Sequence, residues 1–268
     1  MTAIRLVLAE VDGTLLTSSG VLPAGTEHAA RRLRDARIEL AITSARAPRD
    51  MRALIERLRI TAPVCAFDGG MLVRPDLSVL EQHALGDEVA GAVISAMERH
   101  GLDVSVYQND ARLVRGAGAT GVTHEPSTMS YAPDSIVAWE GRVHEAVMIV
   151  GVGQHAEGLA RCDAELQAHR AYASVARSGP CSLAVTHPRA NTGEVVRALG
   201  RHLGISRQTI AAIGHAPTDI HMFRECGLPI AMGQARAAVQ RSARYVTRSN
   251  DDDGFAYAVA TWILRTPS

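Results

Sequence analysis

Two carboxylates, Glu10 and Asp12, stand where the apolar run Leu6-Val7-Leu8-Ala9 gives way to Val11-Asp12-Gly13-Thr14. A pair at this spacing, at the end of a buried strand, can attack an ester, move a proton or hold a cation. Other chemistry-bearing side chains end further strand-like segments. Thr43, Ser44 and Arg46 follow Ile38–Thr43, Asp68 follows Val64–Phe67, and His215 with Asp219 follows Thr209–Ile213. In an open parallel sheet the ligand crevice lies beyond the carboxyl ends of the strands. Acids, hydroxyls, an Arg and a His arriving at one rim from several strands therefore predict a site.

The elements that must position these residues follow from periodicity. Ile4 to Val11 reads as a buried strand, apolar almost throughout. Apolar residues at helical spacing predict helices over Glu27–Ala36, Arg49–Leu58, Gly193–Leu203, Asp219–Glu225 and Ala237–Ala243. Pro229–Met232 and Tyr245–Thr247 read as late strands. Strand alternating with helix predicts an α/β fold with a parallel sheet. The middle of the chain differs. It reads as helix Glu88–Arg99, two strands around Asn109-Asp110, strand Ala146–Val152, helix Glu157–His169 and a hairpin around Ser178-Gly179-Pro180. That order predicts an α+β insert at 84–185 within a discontinuous α/β core of 1–83 and 186–268.

Composition narrows the chemistry. The chain has 268 residues, 47% hydrophobic, with a formal net charge of zero. It can bury a large core, and no basic footprint for nucleic acid or a membrane surface is present. The sequence contains no lysine, which excludes Schiff-base chemistry and a lysine clamp on phosphate. Cys65, Cys162, Cys181 and Cys226 form no CxxC pair and are expected to be reduced. No signal peptide and no apolar run near the ~20 residues of a membrane span are present, so a cytoplasmic protein is expected. Trp139, Tyr131 and Tyr107 in the insert are expected to pack its own core more than to meet a ligand.

The motifs resemble those of the haloacid dehalogenase (HAD) superfamily, Cof-type branch. E-V-D-G-T-L-L at 10–16 resembles the first motif, D-x-D-G-T-L, and Ser44-Ala45-Arg46 resembles the second. I-G-H-A-P-T-D-I-H-M-F at 213–223 and P-I-A-M-G-Q-A at 229–235 resemble the fourth and its sequel. The resemblance implies a Rossmann-like core with an inserted α+β cap, and Mg²⁺-dependent phosphoryl transfer from a small phosphorylated molecule to water. By the same resemblance Glu10 stands at the nucleophile and Asp12 at the acid/base position. Gly13, Thr14, Ser44, Ala45, Arg46 and Thr192 stand at phosphate-binding positions, and Glu10, Asp12, His215 and Asp219 around the metal. Such chemistry depends on positioning and on spreading developing charge.

Three of those positions depart from the family pattern. Glu10 adds a methylene where the attacking Asp belongs, moving its oxygen by roughly 1 Å, a displacement that can cost about 10²-fold. Thr192 stands where the lysine is expected, leaving Arg46 and Arg189 as the nearest cations by motif. His215 stands where a metal-binding Asp belongs, and imidazole is a poor ligand for Mg²⁺. The expectation is a phosphate-ligand-binding homologue whose phosphatase activity is weak or lost. The alternatives are an active phosphatase using Mn²⁺ or Zn²⁺ with direct water attack, and a non-catalytic interaction scaffold.

Overall fold

The computed structural model describes residues 3–109, 111–116, 133–179 and 181–264. Tyr131, Asp110 and Pro180 lie outside the described residues. The chain divides into two compact units, Met1–Leu80 with Asn191–Ser268, and Glu81–Ala190.

The first segment runs β1 Leu6–Glu10, α1 Ala24–Asp35, β2 Glu39–Thr43, α2 Arg52–Leu58, β3 Val64–Ala66, β4 Met71–Val73 and β5 Val79–Gln82. The middle runs α3 Asp87–Arg99, β6 Asp103–Gln108, β7 Ala111–Arg115, β8 Asp134–Ile136, β9 Ala146–Val152, α4 Ala156–Leu166, β10 Ser174–Gly179 and β11 Ser182–Thr186. The last runs α5 Thr192–Leu203, β12 Ile210–Gly214, α6 Ile220–Glu225, β13 Leu228–Ala231, α7 Ala237–Ser242, β14 Tyr245–Val246 and α8 Gly254–Ala258.

One sheet among the described residues has the order β14-β13-β12-β1-β2-β3-β4-β5. Its strands from β14 to β3 pair in parallel, and β4 then turns back antiparallel on β3. This is the α/β architecture that strand–helix alternation predicts. β1 lies in the middle, between β12 and β2, which is why Leu6 to Ala9 are fully buried. Leu6 and Leu8 share a core with Val196 and Leu199 of α5 and Met222 of α6. Each such side chain contributes roughly 1.5–3 kcal/mol by leaving water. Strands β4, β5 and β8 do not emerge from the sequence pattern. At three or four residues each they are too short to carry a period.

The inserted unit carries a second sheet, β10-β11-β9-β6-β7-β8, antiparallel except for the β7–β8 pair. Val93 and Met97 of α3 and Leu159 of α4 share a core with Val106, Ile149 and Leu183 of its strands. Tyr107 is fully buried, and Trp139 donates its Nε1–H to Glu98 Oε1 at 2.8 Å, so both serve the packing of this unit.

A tight junction links the loop after β3 to the start of α5. Gly69 lies at φ +106°, and a Cβ there would come within 2.5 Å of the Asn191 main-chain nitrogen. Asn191 caps α5: its Oδ1 accepts from Gly193 N at 3.1 Å and Glu194 N at 3.0 Å. Asn191→Ala is expected to lower stability by about 1 kcal/mol, whereas Asn191→Asp should keep most of it. Urea denaturation measures the difference, and an unchanged midpoint for the Ala variant would contradict the capping role.

Candidate active site

Parallel register brings distant residues together at the ends of β1, β2, β3 and β12. Ala9 pairs with Ile213 and Glu10 with Thr43, so the residues following β12 arrive beside Glu10. After Glu10 the chain turns through Gly13 in the left-handed region, φ +78°. A Cβ at Gly13 would lie 2.7 Å from Cε1 of His215, so the imidazole rests on the glycine backbone. Glycine is required here both for its φ and for the space it leaves.

Glu10 is held by two side chains. Its Oε2 accepts from Thr14 Oγ1 at 2.8 Å and shares a 2.8 Å hydrogen bond with His215 Nδ1. Burial pushes the Glu10 carboxyl up. The hydrogen bond to Glu10 holds His215 above the usual imidazole range, with the Glu10, Asp219 and Asp12 charges adding to it. One proton lies between the two residues.

Asp219 is buried at 1% exposure, and its Oδ2 accepts the main-chain N–H of His215 at 2.9 Å and of Ala216 at 2.8 Å. Its Oδ1 is buried without a hydrogen-bond partner. Burial, then the Glu10 charge, push this carboxyl well above its ordinary range. One ligand atom from each of Glu10, His215 and Asp219 lies within 4.8 Å of the others. Asp12, expected beside them as a metal ligand, is not in that group. Its two oxygens accept from Arg46, Oδ2 from Nε at 2.9 Å and Oδ1 from Nη2 at 2.6 Å.

The expected phosphate-binding residues differ in how their polar atoms are engaged. Ser44 is buried, and its Oγ accepts from Arg46 N at 3.1 Å. Main-chain bonds from Asp68 N to Ser44 O and from Phe67 N to Arg46 O lace this loop to the one after β3. Ala45 is exposed between Ser44 and Arg46, and Gly13 and Thr14 form the turn after β1. Thr192 is buried at the start of α5, and its hydroxyl donates to the Thr218 carbonyl at 2.7 Å. Its proton is therefore committed to the backbone. Arg189 belongs to the inserted unit, and Arg46 stands at the end of β2 beside Asp12.

A haloacid dehalogenase-like hydrolase family model matches residues 7–259. The chain belongs to this family. Relatives include 5-amino-6-(5-phospho-D-ribitylamino)uracil phosphatase YwtE of Bacillus subtilis, 25% identical, the match covering 95% of this chain and 96% of the relative. HMP-PP phosphatase of Cronobacter sakazakii is 25% identical over 86% of this chain and 85% of its own. A haloacid dehalogenase-like hydrolase from Bacteroides thetaiotaomicron has the same fold, with TM-score 0.87 at 22% identity, covering 96% of this chain and 98% of its own.

The magnesium ion expected of a haloacid dehalogenase-like hydrolase can be tested against these residues. The unpartnered Asp219 Oδ1 is the feature that invites a cation. The rest of the donor set does not. Mg²⁺ takes oxygen ligands in near-octahedral order, and here an imidazole hydrogen-bonded to Glu10 stands among the carboxylates. The residues do not fit Mg²⁺.

Gln234 was not among the residues singled out for a role. It donates to Gly13 O at 2.6 Å and accepts from Asn250 N at 3.1 Å, tying the first turn to the C-terminal segment. Its signal was the P-I-A-M-G-Q-A stretch, which the family resemblance marks without assigning it work.

Asp68, at φ +53°, gives this site a pH dependence. Burial, then the Glu10 and Asp12 charges, push it from 3.8 up to about 6. Its proton is held more tightly in the folded chain, so the stabilisation is full below pH 4 and is lost as pH rises through 6. Asp68→Asn stays neutral throughout and tolerates the same backbone. Melting curves should coincide near pH 4 and favour the variant near pH 7.5 by about 1–3 kcal/mol. Coincident curves at both pH values would refute the shift.

Proposed function

We propose that the mouth formed by the ends of β1, β2, β3 and β12 binds a small phosphate ester, and that hydrolysis by the family's covalent route is slow or lost. What carries the reading is that both carboxylates of the first motif are already engaged. Glu10 reaches one methylene further than the expected Asp and is held by Thr14 and His215. Asp12 has both oxygens on Arg46, which fixes the orientation of the carboxylate. The donors left for a phosphoryl group are the Ser44 hydroxyl, Arg46 and the main-chain N–H groups of Gly13, Thr14 and Ala45. In this reading the inserted unit corresponds to the family's cap.

The names of the relatives support a phosphate ester as the ligand class. A second reading, water attack assisted by Mn²⁺ or Zn²⁺, draws on the His-and-carboxylate set of Glu10, His215 and Asp219. Purified full-length chain assayed with p-nitrophenyl phosphate and Mg²⁺ separates these. Turnover should be at least about 10²-fold below that of the Bacillus subtilis relative run alongside. Calorimetry should nevertheless detect inorganic phosphate binding, weakened at least tenfold in Arg46→Ala. Magnesium-driven turnover matching the relative, and abolished in Glu10→Gln, would overturn the impaired reading. Turnover confined to Mn²⁺ or Zn²⁺ would favour the second, and no phosphate affinity would leave a scaffold.

A further inference from the structure

Four acids, Glu10, Asp12, Asp68 and Asp219, meet at these strand ends, and Arg46 is committed to Asp12 through two bonds. His215 is fixed among them from three directions. Its Nδ1 is 2.8 Å from Glu10 Oε2. Its own main-chain N–H donates to Asp219 Oδ2 at 2.9 Å. Its ring lies on Gly13, where a Cβ would stand 2.7, 2.9 and 3.0 Å from Cε1, Nε2 and Nδ1. The imidazole thus lies on the first turn with a ring nitrogen within 4.8 Å of carboxylate oxygens of both Glu10 and Asp219, and it bonds the Glu10 carboxylate that an ion there would need. A metal could take Nδ1 only by breaking the bond to Glu10.

We propose that the His215 side chain is the resident occupant of the place between Glu10 and Asp219, so that this mouth excludes Mg²⁺. As an account of how the mouth takes a phosphate ester, the inference rests on the reading above. The occupancy itself rests on the geometry of His215.

The test is calorimetric titration of Mg²⁺ into the chelator-treated full chain, wild type against His215→Asp, with circular dichroism to verify the fold. Wild type should give no saturable heat in the millimolar range, and the folded Asp variant should bind at least tenfold more tightly. His215→Asn, smaller and carrying an oxygen donor, replaces the Asp variant if the latter fails to fold, and is expected to gain affinity in the same direction. Saturable Mg²⁺ binding by wild type overturns the proposal. So does a folded variant that gains nothing, since something other than the imidazole would then exclude the ion. Zn²⁺ or Mn²⁺ binding by wild type that is lost in His215→Asn would make His215 a ligand and overturn it as well. Phosphate affinity is measured separately. Its absence sinks the phosphate-ester reading while the magnesium titrations still decide occupancy.

Discussion

A hydrogen bond of 2.8 Å between His215 Nδ1 and Glu10 Oε2 joins positions 205 residues apart and organises everything around it. It exists because β1 lies between β2 and β12 in parallel register, delivering Glu10 and the residue after Gly214 to the same edge. It also sets the local charge. The imidazole bonds Glu10, whereas desolvation and then the Glu10 charge push half-buried Asp68 and buried Asp219 above the usual carboxylate range. Arg46 cannot relieve them, because its planar fork is matched to both oxygens of Asp12.

Much of this site was legible in the sequence because strand ends are legible. An apolar run such as Leu6 to Ala9, followed by a polar residue and a glycine, marks both a buried strand and the edge to which it delivers side chains. Glu10, Ser44, Asp68, His215 and Asp219 could be gathered on that ground before any coordinates. What could not be read was how each polar atom spends its bonds. Thr192 looks like a free hydroxyl in the sequence, yet its proton goes to Thr218 O, because the first turn of α5 is held against the turn that carries Thr218. Asp12 looks like a metal ligand or an acid. That Arg46 would take both its oxygens depends on a side chain 34 residues away. Pairings of this kind follow from tertiary placement, which no local period encodes.

The same limit applies to the fold. Long amphipathic segments, α3 and α5 among them, announce themselves through apolar residues on one face. β4 and β8, three residues each, gain their identity only from the strands beside them. The Gly69 turn is a middle case. A Gly-Gly after a strand signals a turn, but the reason for a glycine at that position is the Asn191 main chain at 2.5 Å from where a Cβ would be.

Glu10 and His215 are better understood as one change than as two. An Asp at position 10 would end about one methylene short of the imidazole nitrogen and lose that hydrogen bond, at a cost of roughly 0.5–1.5 kcal/mol. An Asp at position 215 would set another acid beside Glu10, Asp12, Asp68 and Asp219, where Arg46 is already paired with Asp12. Reversal at 10 alone loses the bond to the imidazole and reversal at 215 alone adds an acid, whereas together the two would set two short carboxylates facing each other. Residues in direct contact couple in this way. The longer side chain at 10 and the imidazole at 215 form a self-contained pair, and Gly13 is the seat that lets the ring reach it.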